Sequence, residues 1–340
     1  MSTIVEVSIL AGVSKATVSR VINGNESVSP QSRDKVLEAI ATLNFTPSKT
    51  AQALATKRTN AVAVVFPESN HSQWGALLPV ISKELQTHQK SLLLVSGRND
   101  PISEYDSILN LQHQSDAVLL YSRTLSDKHL QRLNKEIAVP LVVMNRHSIK
   151  EKYLSVSINQ SQLVSIAMQH LIAKEHRHIA CISGPTDNPS GQARVKGYIE
   201  SLYAAKLTFN PLLLSISDYQ FMGGYQACRQ LLNLKAKFTA IVCFNEQMAL
   251  GAIKALKEYG KNVPQQISVV SIGNSPMGQH SSPQLTSVES PVQEMAKQAV
   301  ALLLNQLQNS QLVESISLNG KLVVRKSVTG ATPQLARTEP

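Results

Sequence analysis

The chain has 340 residues, 43% of them hydrophobic and 16% charged, which excludes an intrinsically disordered protein and allows about two globular domains at ~150 residues each. A formal net charge of +10 and a pI of about 9.5 point to a polyanionic partner, nucleic acid or a membrane surface. Cys181, Cys228 and Cys243 are odd in number, far apart and outside any CxxC, so neither a disulfide scaffold nor a zinc site is expected, and free buried thiols are.

The opening residues lack the basic start, apolar run and small-residue cleavage site of a signal peptide. No apolar stretch approaches the ~20 residues that span a bilayer, so a cytoplasmic protein without a membrane partner is expected. Ile4, Val7, Leu10 and Ala11 then recur at helical spacing until Gly12 breaks the pattern. Ser14 is a suitable N-cap for a second helix from Lys15 to Ile22, which Asn23-Gly24-Asn25 ends. Val18, Val21 and Ile22 form its apolar stripe, while Lys15, Ala16, Ser19 and Arg20 face elsewhere. A third helix starts at Ser29-Pro30, with Val36, Leu37, Ile40 and Leu43 as its inner face.

Two short helices joined through a glycine turn and backed by a third follow the helix-turn-helix plan, whose second helix enters the major groove N-terminal end first. The side chains there suit that groove. Arg20 can donate two bonds to guanine, Lys15 can reach a base or a phosphate, and the Ala16 methyl can meet a thymine methyl. Ser14, Thr17, Ser19 and Asn23 are short donors for phosphate oxygens. On pattern alone, a generic helical hairpin with a solvated polar face remains open.

From about residue 61, apolar strand-like runs alternate with helical stretches. The runs are Ala61–Phe66, Ser91–Val95, Ala117–Tyr121 and Pro140–Met144, and then Ile179–Ser183, Ala240–Phe244 and Ile267–Ile272. Such alternation predicts parallel sheets built from βαβ units. Two sets predict two lobes, with a ligand cleft beyond the carboxyl ends of the strands. No GxSxG, P-loop, HExxH or strand-linked GxGxxG is present, so no enzymatic activity, cofactor or metal is expected. His176 and His178, flanking Arg177, read as surface residues.

The string Val5-Glu-Val-Ser-Ile-Leu-Ala-Gly12-Val-Ser-Lys-Ala-Thr-Val-Ser-Arg20-Val-Ile-Asn23 resembles the start of LacI-family transcriptional regulators, with Glu6 and Ser8 as mild departures. Within that family, the nearest look is to the galactose and β-glucoside operon repressors. The resemblance extends through Phe45-Thr-Pro47-Ser-Lys-Thr-Ala51-Gln-Ala53-Leu54-Ala55, which is similar to the family's minor-groove hinge helix. It implies that Leu54 wedges between base pairs and that Ala51 and Ala55 allow close pairing of two hinges. Ser48 and Gln52 replace the usual Asn and Arg, which weakens a phosphate contact. Beyond the hinge, Ser183-Gly-Pro185, Arg194-Val-Lys-Gly197-Tyr198, Phe244-Asn245-Glu-Gln-Met248 and Gly320-Lys-Leu-Val-Val-Arg325 match the two-lobed sensor that the family shares with periplasmic sugar-binding proteins.

The resemblance implies a headpiece over 1–45, a hinge over 46–59 and a sensor over 60–330, followed by a tail over 331–340. The first lobe is expected over about 60–157 and 288–319, the second over about 158–287 and 320–330. It further implies a homodimer on a near-palindromic operator and repression controlled by a sugar or sugar phosphate. By matched position, Arg194 and Asn245 grip sugar hydroxyls. Trp74 and Tyr219 stack on the sugar or pack the core, and Asn159, Asn274 and Ser275 stand where the family has acids or an aromatic. A pocket that keeps Arg194 and lacks those acids is expected to be electropositive, which leaves an anionic sugar and a degenerate pocket both open. A transport binding protein with no DNA role is the competing reading, disfavoured by the DNA-binding segment. The tail has no heptad run, which favours a dimer.

Overall fold

The computed structural model describes residues 2–22, 24, 27–46, 58–67, 73–98, 100–148, 152–234, 237–308 and 314–331, with Gln73 and Trp74 described by backbone alone. The first helix, α1 (Ile4–Ala11), begins in a reciprocal cap: the Glu6 amide donates to Thr3 Oγ1 at 3.4 Å and the Thr3 amide donates to Glu6 Oε2 at 2.9 Å. It stops at Gly12, whose φ of 63° puts the C-cap in the left-handed region. Ser14 caps α2 (Lys15–Ile22), accepting from the Thr17 amide at 3.1 Å, and Ser29 caps α3 (Pro30–Thr42).

Val7, Ala11, Val18, Val21, Val36 and Ala39 close a small core between the three helices. Leu10 and Leu37, expected inside, are 53% and 52% exposed. Each is the immediate neighbour of a buried residue, Ala11 or Val36, and so lies about 100° round its helix from the inner stripe. The fully buried residues of this core are valines and alanines, with Ile4, Ile22, Ile40, Leu43 and Phe45 packed around them, and Leu10 and Leu37 lie to one side of that stripe.

The remainder contains two six-stranded sheets. The first holds β1 (Ala61–Phe66), β2 (Ser91–Ser96), β3 (Ala117–Leu120), β4 (Leu141–Met144), β5 (Leu154–Ile158) and β11 (Ile316–Leu318), in the order β11-β5-β4-β3-β1-β2, all parallel. The second holds β6 (Ile179–Ser183), β7 (Leu214–Ile216), β8 (Ala240–Cys243), β9 (Ser268–Ile272), β10 (Thr286–Glu289) and β12 (Lys321–Val323), in the order β12-β10-β9-β8-β6-β7. Here β12 alone runs antiparallel, against β10. The inner strands are buried on both faces, which is why they read as unbroken apolar runs. By contrast, β5 reads Leu-Ser-Val-Ser-Ile, and its serines hid it among the polar segments although it too is buried.

The chain passes between the sheets at Ile158–Gln160, again at Glu289–Val292, and finally at Leu318–Lys321. The first crossing opens α7 (Gln160–Ala173), which packs on the second sheet, and the second opens α12 (Val292–Leu307), which returns to the first. The intervening helices are α4 (Gln73–Thr87), α5 (Pro101–Asn110), α6 (Asp127–Glu136), α8 (Pro189–Ala204), α9 (Phe221–Asn233), α10 (Glu246–Glu258) and α11 (Pro276–Gln279). All three cysteines are buried and free.

His176 departs from its expected surface position and is only 2% exposed. Its ring nitrogens meet Thr239 Oγ1 at 2.8 Å, Ser268 Oγ at 3.1 Å and the Thr329 carbonyl at 3.0 Å. It thereby ties the last described segment to the second sheet. Burial lowers its pKa, against the raising effect of the Thr329 carbonyl.

Candidate functional site

The described residues singled out by the sequence fall mainly on two separate surfaces. On the first, Lys15, Ala16 and Arg20 are exposed on α2, on the side away from Val18 and Val21. Ser14 and Thr17 sit at the start of that helix with their hydroxyls 2.9 Å apart, and Ser19 is half-buried. No acidic residue occupies the first turn of α2, so no carboxylate there offsets the positive end of the helix dipole. Asn23 and the hinge residues Ala51, Leu54 and Ala55 lie outside the described residues.

The second surface is a cleft of about 790 Å³ at the carboxyl ends of the strands of both sheets. Tyr121, Ser122 and Asn145 reach it from just beyond β3 and β4, and Asn245, Gly273, Asn274 and Ser275 from just beyond β8 and β9. At its centre Arg194, 5% exposed, is held from two directions. Its Nε donates to Gln160 Oε1 at 2.8 Å and its Nη1 to the Phe244 carbonyl at 2.7 Å. The relay continues to the first sheet. Gln160 Nε2 donates to Asn145 Oδ1 at 2.8 Å, and Asn145 Nδ2 donates to Tyr121 Oη at 2.6 Å and to Ser190 Oγ at 3.3 Å. Gln160, Asn145, Tyr121 and Ser190 carried no sequence motif: Tyr121 and Asn145 lie at strand ends, Gln160 at the first crossing and Ser190 in the first turn of α8.

The expected cleft residues fare differently. Tyr219 lines the cleft with φ 67°, and its ring lies over Gly184, where a Cβ would sit 2.0 Å from Tyr219 Cζ. Only glycine allows the ring that position. Asn245 lines the cleft as the N-cap of α10, accepting from the Met248 amide at 2.8 Å and donating to the Tyr219 carbonyl at 2.7 Å. Much of its bonding capacity is therefore spent on shaping the wall. Asn274 accepts from Arg325 Nη2 at 2.6 Å. Asn159 is not a cleft residue: it is exposed, and its side chain caps α7 by accepting from the Gln162 amide at 3.1 Å. The helix turns the next residue, Gln160, inward in its place. The side chain of Trp74 lies outside the described residues.

The expected lack of acids also needs correction. Positions 274 and 275 carry none, yet Glu246 reaches the same place from α10, 8% exposed, with both carboxylate oxygens accepting from the Ser275 amide at 3.1 and 2.9 Å. Burial raises its pKa, against the opposing effect of those hydrogen bonds and of Arg325. Glu289 and Glu294 line the cleft as well, together with Arg123, Arg146, Lys297 and Lys321. Arg146 is already paired with Asp127 at 2.8 Å. Among the described residues, no cluster of His, Cys, Asp and Glu is arranged to hold a metal ion.

Residues 3–48 match the family of bacterial regulatory proteins of the lacI type, and residues 168–328 match the periplasmic binding protein-like domain. The chain is 31% identical to the HTH-type transcriptional regulator AscG of Escherichia coli, over 96% of this chain and 98% of that protein. It is 34% identical to the HTH-type transcriptional regulator CelR of Thermobifida fusca, over 94% and 96% of the two. The chain belongs to the LacI family. This LacI-family protein is a sequence-specific DNA-binding transcriptional regulator with a two-lobed sensor. It superposes on the crystal structure of the lac repressor dimer bound to operator and anti-inducer with a TM-score of 0.89, at 26% identity, covering 96% of this chain and 99% of that one. Against the CelR–cellobiose complex the TM-score is 0.71, at 31% identity, covering 96% and 100%. No helix among the described residues is long and apolar enough to cross a membrane.

Proposed function

We propose that this regulator is a cytoplasmic, non-enzymatic repressor of a carbohydrate-utilisation operon, controlled by an anionic sugar bound in the cleft. Arg194 carries the effector half of this reading. It is buried, oriented from two sides, and its Nη2 has no partner among the described residues, while the side chain lines the cleft. A guanidinium held this way offers a fixed donor to hydroxyl or phosphate oxygens. Arg123, Arg194, Lys297 and Lys321 outnumber Glu289 and Glu294 around the space, and Glu246 is engaged by the Ser275 amide.

The headpiece is assigned to 1–45, the hinge to 46–59, and the sensor to 60–330 with crossings near 158, 290 and 320. Two chains pair so that each α2 reads half of a near-palindromic operator through Lys15, Ala16 and Arg20, with Leu54 of each hinge wedged at the centre. The lac repressor dimer on operator supports that arrangement.

Calorimetry with a panel of glycosides and their 6-phosphates tests the effector half. Tighter binding of the 6-phosphate is expected. A clear preference for the neutral sugar would overturn the anionic assignment and favour the second reading, a neutral glycoside stacked on Tyr219. That reading draws on the cellobiose bound by CelR.

A further inference from the structure

Residues 58–60 leave the hinge and enter β1 at the amino end of the first sheet, the end opposite the cleft. There they meet Asp116, whose side chain is 10% exposed and which directly precedes β3. Asp116 Oδ1 accepts from the Thr59 amide at 2.7 Å and from Thr59 Oγ1 at 2.8 Å. Asp116 Oδ2 accepts from the Asn60 amide at 3.0 Å and lies 3.5 Å from Lys90 Nζ. The backbone closes the same point, since the Asp116 amide donates to the Ala61 carbonyl at 2.8 Å. Asn60, with φ 54°, completes the tie: its side chain donates to the Gln89 carbonyl at 2.8 Å, and its carbonyl accepts from the Ser91 amide at 2.8 Å.

One carboxylate thus gathers the ends of β1, β2 and β3 and the last residues of the hinge into a single fixed point. Without the carboxylate, Thr59 and Asn60 lose their acceptor. The hinge would then leave the sensor from a floppy stub, and its ordering would have to be supplied again when DNA binds.

We infer that Asp116 is a positioning residue for operator recognition: it clamps the exit of the hinge so that headpiece and hinge present a preset geometry to DNA. The inference rests on the DNA-binding role and is independent of the effector's identity.

The test uses the full chain and the duplex that the unaltered protein selects from a randomised pool. Asp116→Ala, Asp116→Asn and Thr59→Val are compared for affinity to that duplex and to random-sequence duplex by fluorescence anisotropy, with amide exchange of the sheet strands as a fold control. Asp116→Ala should lose about tenfold on the selected duplex, the order expected for re-ordering one residue's backbone on binding. Asp116→Asn and Thr59→Val should lose less, while random-duplex affinity and strand exchange stay as they were. A lowered ratio of selected to random affinity supports the clamp. Unchanged selected-duplex affinity in all three variants overturns it. An equal loss on both duplexes, or faster strand exchange in the Asn and Val variants, also overturns it, because either would reduce Asp116 to a structural support.

Discussion

Replacing Glu104 by glutamine should remove a built-in pH dependence of the sensor's stability. Glu104, on α5, is 1% exposed. Its Oε2 accepts from Ser122 Oγ at 3.0 Å, and its Oε1 has no partner. Burial, only partly opposed by the Ser122 bond, pushes its pKa from 4.5 up to about 7. A difference of that size is worth about 3 kcal/mol between the charged and neutral forms. The sign follows from linkage. The folded state holds the proton more tightly than the unfolded chain, so stability is greatest below about pH 4.5 and declines as pH rises toward 7. Above pH 7 the whole cost of a buried carboxylate is in place. Glutamine keeps an acceptor for Ser122 and cannot ionise, although its buried amide N–H groups add a pH-independent cost of about 1–3 kcal/mol. Urea melts at pH 5 and pH 8 should therefore show unaltered protein losing about 2.5 kcal/mol across the interval through this group, and Glu104→Gln losing that much less. An equal loss in both proteins would refute the reasoning, because it would place the titration elsewhere.

Arg20→Ala should weaken binding to the selected duplex by about 1–3 kcal/mol and relax preference at one base pair, with random-duplex affinity nearly unchanged in anisotropy titrations. Arg194→Lys should fold normally by circular dichroism and lose at least about tenfold in calorimetric effector affinity, since an ammonium cannot reach both Gln160 and the Phe244 carbonyl while still facing the cleft. Leu54→Ala should reduce both operator affinity and the bend measured by gel mobility of permuted fragments; unchanged bending would remove Leu54 from the wedge role. Log affinity for the selected duplex should fall linearly with log salt, and Lys15→Ala should reduce the slope by about 1 if Lys15 meets a phosphate.

The headpiece was legible because its signals are local. A cap at Ser14, a left-handed Gly12 and a valine stripe at helical spacing depend on residues within one or two turns. Leu10 and Leu37 are exposed because each sits beside a residue that takes the inward position, Ala11 or Val36, and the pattern does not say which of two adjacent apolar residues turns inward. Seven of the sensor's strands were legible as apolar runs; β5, whose serines mimic a loop until the neighbours that bury them are known, and β7, β10, β11 and β12, each only three or four residues long, were not.

The cleft was legible only at Arg194, Tyr219, Asn245, Asn274 and Ser275, through matched strings, and the side chains of Asn245 and Asn274 turn out to bond to neighbouring wall residues. Asn159 and Gln160 show why. They are adjacent, both polar and both at the start of one helix, and a rotation of about 100° decides that the first caps the helix and the second supports Arg194. Glu246 and Ser275 are separated by 29 residues, and Asp116 and Thr59 by 57. By itself, the sequence determined the helical headpiece, the inner strands of the two largely parallel sheets and the exposed basic side chains of α2, because each is dictated by short-range periodicity and capping. The tertiary structure alone decided which polar groups meet, because strands that carry them to a common edge are brought together by sheet order, and sheet order leaves no local trace in the chain.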